Sequence, residues 1–214
     1  MSAVYRDLEQ RSPEWFAARL GIPTASRFDS IITPVNGDLS KQSDGYLREL
    51  LAEWLSGQSA ESYSSGWMAR GQEVEQEARD FYAFERGLAV AQVGFVYADG
   101  SRSLGCSPDG LIDGDGMIEI KCPKPSTQIG YLLAGGLPPD YRPQVFGSLL
   151  ITGRRWCDFL AYCPGLPPIL VRVERDEIYI AKMRSALDQF IARLVAGKQE
   201  LINKGYKPEQ SNAN

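Results

Sequence analysis

Between Leu104 and Pro123 the chain reads LGCSPDGLIDGDGMIEIKCP, and no other stretch constrains the fold as strongly. Met117 to Cys122 has the composition of a short strand, in which successive side chains point to opposite faces. Glu119 and Lys121 then share one face, and Ile118 and Ile120 point into a core. Gly114 and Gly116 allow a tight turn that folds this strand back beside the Asp109 segment. Asp109 and Glu119, with nine residues between them, can converge on one metal ion, with Lys121 beside it. Hard carboxylate oxygens suit Mg²⁺ or Mn²⁺. A metal so held activates water and offsets phosphate charge, and a lysine can orient the water or stabilise developing charge. The spacing therefore fits a metal-dependent site that cleaves phosphodiesters. On these residues alone, an Asp-Gly turn followed by a strand with solvated charges is the alternative reading.

Asp113-Gly-Asp-Gly116 looks like part of an EF-hand loop. In that register Leu111 takes the first ligand position and Cys122 the position of the bidentate glutamate, so the segment reads as a turn.

The chain has no histidine. Ser-His-Asp and Cys-His catalysis are excluded, as are histidine-ligated metals. Any hydrolysis must rely on carboxylate-bound metal and lysine. The four cysteines (Cys106, Cys122, Cys157, Cys163) contain no C-x-x-C pair and read as reduced intracellular thiols. At 214 residues, 43% hydrophobic and 23% charged, the chain can bury one substantial core. No apolar run approaches the roughly 20 residues of a membrane span, and the first residues lack a signal-peptide pattern. The net charge of −4 does not advertise nucleic-acid binding, which would need a local basic surface or one created by assembly.

Along the chain, Ser12 and Pro13 start a helix carrying Trp15, Phe16 and Arg19, which ends near Gly21. Thr24 caps a second helix through Ser26, Phe28, Ile31 and Ile32. With Arg19 nearby, this is either a phosphate-binding corner or ordinary capping beside a surface arginine. Residues 33–45 read as a loop and 46–56 as a helix. Residues 67–86 form a third helix with an apolar stripe of Val74, Ala78, Phe81, Tyr82 and Phe84. Glu75 shares a side with Ala78 and Tyr82. It is either an acid facing the Asp109 site or an i,i+4 partner of Arg79. A strand over 90–98 precedes strands at 103–106, 109–112 and 117–122 in an antiparallel meander. Residues 124–136 connect, with some helix. Asp140 caps a helix with Pro143 in its first turn, and there Tyr141, Gln144 and Ser148 share a face. Gln144 is a candidate active-site hydrogen-bonder or a plain polar-face residue. Residues 156–163 and 168–174 make a hairpin, and an amphipathic helix runs from about 175 to 203. The expectation is one domain over 1–205 and a disordered tail over 206–214.

Five motifs in this order resemble a known family. They are W-x-x-x-R-L-G-I-x-T-A-S (Trp15–Ser26), R-G-Q-E-x-E (Arg70–Glu75), S-P-D-G (Ser107–Gly110), E-I-K-C-P (Glu119–Pro123) and Y-R-P-Q-V (Tyr141–Val145). Together they resemble the alkaline exonucleases of the bacteriophage lambda exonuclease and YqaJ viral-recombinase group, within the restriction-endonuclease-like superfamily. The resemblance implies an α/β fold with a central mixed sheet flanked by helices. It implies that Asp109, Glu119 and the main-chain carbonyl of Ile120 hold Mg²⁺, or Mn²⁺ in its place, and that Lys121 is the catalytic lysine. Glu75 and Gln144 complete the active site. Arg19, Ser26 and Ser107, with Thr24 beside them, handle the 5′-phosphate end, and Met68 is an apolar wedge that parts the strands. The implied activity is 5′→3′ digestion of one strand of double-stranded DNA from a free end, leaving a 3′ single-stranded tail for recombination. The implied assembly is a homotrimer ring around the DNA, partnered by a phage single-strand annealing protein in the cytoplasm of a bacterial host. The sequence departs from the family after E-I-K-C-P. No basic residue stands at the place where the family binds the terminal phosphate, unless Lys124 substitutes. An endonuclease or repair nuclease of the same fold, or a non-catalytic DNA-binding module, are the alternatives.

Overall fold

The computed structural model describes residues 3–59 and 66–208, with the backbone alone for residues 66–73. Its centre is a five-stranded sheet in the order β2 (Val90–Ala91), β5 (Gly110–Ile112), β6 (Gly116–Lys121), β7 (Trp156–Ala161), β8 (Ile169–Glu174). β5 and β6 form the expected hairpin, with Gly110 opposite Ile118 and Ile112 opposite Gly116. β6 and β7 run parallel, which puts Glu119 opposite Phe159 and Lys121 opposite Ala161. Every other pairing in this sheet is antiparallel. A parallel neighbour needs a long crossover, supplied here by α4 (Pro125–Ala134) and α5 (Arg142–Thr152).

β6 is covered on both faces. On one side Ile118 and Ile120 pack with Ile112, Leu160 and the Ala78 and Tyr82 side chains of α3 (Gly66–Arg86). On the other, Met117 joins the main core with Cys157, Phe159 and the α5 residues Val145, Phe146 and Leu149. α5 is buried from Val145 to Thr152. It sits so close to the chain before it that a Cβ on Gly147 would fall 2.4 Å from the Phe28 ring. α6 (Glu177–Asn203) closes this face with a stripe of Tyr179, Ile180, Met183, Leu187, Phe190 and Leu194, the period of a helix with one apolar side. Its N-terminus is capped by Asp176, which accepts hydrogen bonds from the Ile178 and Tyr179 amides. On the α3 face, the fully buried Asp158 of β7 accepts a hydrogen bond from Tyr82 Oη at 2.7 Å. It also accepts a bidentate pair from Arg172 at 2.8 and 2.9 Å, and the Arg172 guanidinium lies 3.7 Å over the Trp156 ring.

A smaller antiparallel sheet joins β1 (Val4–Arg6), β3 (Phe95–Tyr97) and β4 (Gly105–Cys106). This corrects the expected meander, because β4 pairs with β3 rather than β5. Pro108 has no N–H to continue a ladder, and the chain crosses between sheets at Ser107–Asp109. The expected strand over 90–98 divides in the same way into β2 and β3. The N-terminal segment crosses tightly at Gly94, where a Cβ would sit 2.0 Å from the Leu8 carbonyl oxygen.

Ser12 caps α1 (Pro13–Arg19) by accepting from the Trp15 amide, as expected. The expected second helix is a 3-10 turn over Ala25–Ser30, and the Thr24 side chain does not cap it; the hydroxyl is turned to Ser26 instead. α2 (Ser43–Ser56) begins three residues before the expected start. Asp140 lies in a 3-10 turn, Pro139–Tyr141, and Tyr141 holds the cap position of α5; Pro143 does fall in the first turn. Phe84 is 88% exposed and leaves the proposed core stripe. Two residues beyond Tyr82, it points to the opposite face of the helix. Among the described residues no helix is long and apolar enough to cross a membrane. The expected tail falls mostly on residues 209–214, outside the described residues.

Candidate active site

The hairpin places Asp109 at the head of β5, where its Oδ2 accepts a 2.6 Å hydrogen bond from the Ile120 amide. β5 stops pairing with β6 after Ile118, so the Asp109 carboxylate takes the place of a further strand partner. Glu119 is 1% exposed. Its Oε1 accepts from Lys121 Nζ at 2.7 Å and from Gln144 Nε2 at 2.5 Å. Its Oε2 is buried and receives no hydrogen bond among the described residues. A buried carboxylate oxygen left unsatisfied is costly, so its retention calls for an explanation.

Burial shifts the titration of this group of residues. Burial, and then the Glu119 charge, push the Asp109 carboxyl well above the usual range. For Lys121, burial pulls the ammonium down, but the Glu119 and Asp109 carboxylates outweigh it and the net shift is upward. The neighbouring carboxylates thus favour the ammonium form of Lys121, which donates to Glu119. It also lies 5.2 Å over the ring of Tyr141, whose hydroxyl accepts from Tyr131.

Glu75 makes the expected i,i+4 pair and also lies on the side of Asp109. Its Oε1 pairs with Arg79 one turn on, at 3.0 Å, and its Oε2 with Arg11 at 2.9 Å. It also borders a cleft of about 630 Å³ shared with Asp109. Arg79 reaches further, with Nε donating to the Asp109 carbonyl at 3.2 Å and a terminal nitrogen to Gln76. Gln10 donates to the Pro108 and Val93 carbonyls. Arg79 and Gln10 thus hold Pro108–Asp109 from two sides. Of this framework only Arg79 was visible beforehand, as an i,i+4 partner. Nothing in the spacing of Gln10 and Arg11 signals that the N-terminal segment reaches the hairpin.

The second group of expected residues also assembles. The Arg19 guanidinium stacks 4.1 Å over the Trp15 ring and donates to Ser26 Oγ at 3.5 Å. Ser26 and Thr24 hydroxyls are 3.2 Å apart. Trp15 Nε1 donates to Ser107 Oγ at 2.9 Å and to the Gly94 carbonyl at 3.0 Å. Trp15 thus joins Arg19 to Ser107, two residues from Asp109. An indole N–H only donates, so the Ser107 hydroxyl is an acceptor toward Trp15 and keeps its own proton for another partner. Trp15 was quoted in the motif without a role, and its link to Ser107 depends on how α1 packs on the small sheet. Met68 lies in α3, and its side chain is outside the described residues. Among the described residues no three Asp, Glu, His or Cys side chains form a metal cage by themselves. The four cysteines are free thiols.

A mixed sheet with a parallel β6–β7 pair, flanked by helices and carrying acidic residues and a lysine on its central hairpin, is the restriction-endonuclease-like nuclease fold. The YqaJ-like viral recombinase domain matches residues 14–155, and the chain belongs to that family. It is similar to an alkaline exonuclease (LHK-Exo) from Laribacter hongkongensis, with 36% identity and a TM-score of 0.82 over 91% of this chain and 98% of that one. The structure of LHK-Exo in complex with dAMP gives 37% identity and the same TM-score and coverage. A phage related exonuclease from Haemophilus somnus 129PT shares the fold at 16% identity and a TM-score of 0.60, over 82% of this chain and 96% of that one. No curated protein matches the chain.

Proposed function

We propose that the protein is a Mg²⁺-dependent 5′→3′ exonuclease that digests one strand of double-stranded DNA from an end and leaves a 3′ single-stranded tail for recombination. The observation that carries this reading is the buried, unsatisfied Glu119 Oε2 beside Asp109. The donor set fits a hard divalent ion: two carboxylates, and the Ile120 carbonyl, which leaves the strand on the same edge as the amide bonded to Asp109. Mn²⁺ would be accommodated by the same oxygens. When bound, the metal lowers the pKa of water and offsets charge on the scissile phosphate.

The chain's own residues do the rest. Gln144 and Lys121 both hold Glu119 Oε1, which leaves Oε2 without a protein donor among the described residues and available to a metal. Lys121 orients the attacking water or stabilises the phosphate oxygen that gains charge. Glu75 and Gln144 complete the site. In hydrolysis a water oxygen bonds to phosphorus as the bond from phosphorus to O3′ of the terminal nucleotide breaks. The next nucleotide then inherits the 5′-phosphate. Arg19, Thr24, Ser26 and Ser107 form the corner for that terminal phosphate, and Met68 stands as the strand-separating wedge. The assembly we infer is a homotrimer ring, working with a phage single-strand annealing protein in the cytoplasm of a bacterial host. A ring would give an acidic chain a positive lumen.

The test is digestion of linear duplex DNA, with and without a 5′-phosphate, in Mg²⁺ or EDTA, beside nicked and closed circles. Metal-dependent loss of one strand from linear ends is expected. Cutting of closed circles would make the protein an endonuclease. Removing one preorganised charge-stabilising donor costs about 10²–10³ in rate, so a folded Lys121→Ala protein should lose at least about 10²-fold. Full activity in that variant would sink the mechanism.

A further inference from the structure

We propose that Arg11 is a DNA phosphate-binding residue, held on Glu75 in the free protein and transferred to the backbone of the digested strand when DNA enters the cleft. This rests on the exonuclease reading above. Arg11 lines the cleft of about 630 Å³ that opens beside Asp109. Its backbone is fixed at the rim. Gln10, just before it, is tied to two carbonyls on the far wall, and Ser12, just after it, caps α1. Arg11 itself takes a left-handed turn at φ +71°.

Its side chain, by contrast, is lightly held. The Arg11 side chain is 38% exposed, and among the described residues it donates a hydrogen bond to Glu75 Oε2 alone, at 2.9 Å. With the arginine this exposed, water screens part of its attraction to Glu75. Arg79 is the opposite case, with a side chain only 11% exposed and donating to Glu75, Gln76 and the Asp109 carbonyl. If Arg11 leaves, Glu75 keeps Arg79 and is not stranded. The exchange also suits the charges. Asp109, Glu119 and Glu75 face Lys121, Arg79 and Arg11, three against three, with Asp7 and Glu9 also on the cleft wall. With Asp7 and Glu9 counted the acids outnumber the bases, so an incoming phosphodiester is held only where a cation turns to it, and Arg11 is the one of the three with the fewest contacts. Guanidinium binds phosphate through two parallel hydrogen bonds, more strongly than a lone exposed carboxylate contact.

The experiment is fluorescence anisotropy of the full chain with a 5′-phosphorylated duplex in EDTA, so that nothing is cut, across a series of salt concentrations. Each phosphate contact contributes about 0.9 to the slope of log affinity against log salt. Arg11→Gln should weaken binding several-fold and lower the slope by about one. Arg11→Lys should keep the slope while weakening binding, because it keeps the charge and loses the fork. Glu75→Gln, which releases Arg11, should bind at least as tightly as the parent. A folded Arg11→Gln protein with parental affinity and slope would overturn the proposal. Should that variant not fold, an Arg11→Lys protein with a lowered slope would overturn it instead. Failure of the parent protein to bind DNA at all would overturn the exonuclease reading, and is thereby distinct from a failure of Arg11 alone.

Discussion

Removing the Tyr82 hydroxyl should destabilise the protein measurably without disturbing its packing. Tyr82 is fully buried on α3, and its hydroxyl donates at 2.7 Å to Asp158, which is also fully buried. Phenylalanine keeps the ring and its contacts with Ile118 and Leu160, so the change isolates one hydrogen bond to a buried charge. Such bonds contribute about 1.5–3 kcal/mol. For a chain of this size each kcal/mol shifts the melting temperature by about 2–4 °C, so Tyr82→Phe should melt roughly 3–12 °C lower. Urea titration would show a lower midpoint with an unchanged slope. Arg172→Gln should cost more, about 3–5 kcal/mol less a discount because the Arg172 side chain is 43% exposed, since it strands the Asp158 carboxylate in the core. A Tyr82→Phe protein within about 0.5 kcal/mol of the parent would refute this account, because exposed pairs are the ones that contribute so little.

Three further outcomes are expected. Trp15→Phe keeps a ring under Arg19 but removes the donor to Ser107, so discrimination between 5′-phosphorylated and unphosphorylated ends should shrink severalfold in initial-rate measurements, with the fold retained by circular dichroism. Gly147→Ala drives a methyl into the Phe28 ring; overpacking costs about 1–3 kcal/mol, readable by denaturant titration. Burial pushes the Tyr46 and Tyr179 hydroxyls up to about 12, against about 10 in the unfolded chain. The unfolded state therefore loses these protons first, so stability present below pH about 10 declines as pH rises from 10 toward 12. Melting temperatures taken between pH 8 and 11 would show it.

The hairpin was legible in the sequence because its signals are local. Glycines mark the turn, alternation marks the strand, and Asp109, Glu119 and Lys121 are brought together within 13 residues. Gln144 was legible as one face of a helix, and only tertiary packing could say that this face meets Glu119. The meander failed because Gly105–Cys106 and Gly110–Ile112 look alike as short strands, and the sequence does not reveal that Pro108 marks a crossing between sheets. Phe84 was misplaced because an aromatic residue beside a stripe was counted into it against its angle on the helix. The clamp of Gln10 and Arg79 was largely invisible, since Gln10 comes from an N-terminal segment and its partners Val93 and Pro108 lie 83 and 98 positions away.

The parallel β6–β7 pairing also sets the order in which the site comes into being. The β5–β6 hairpin can close within microseconds, bringing Asp109 to Ile120 early. β6 gains its other neighbour only after two helices have been laid down between Lys121 and Trp156, and such distant pairings form late. Gln144 rides on the second of those helices. In a chain still emerging from the ribosome, the Asp109 and Glu119 segments are made before the strand and the glutamine that fix Glu119 in place. The site is therefore complete only once the chain has been made through β7, together with much of the core that β7 and α5 supply.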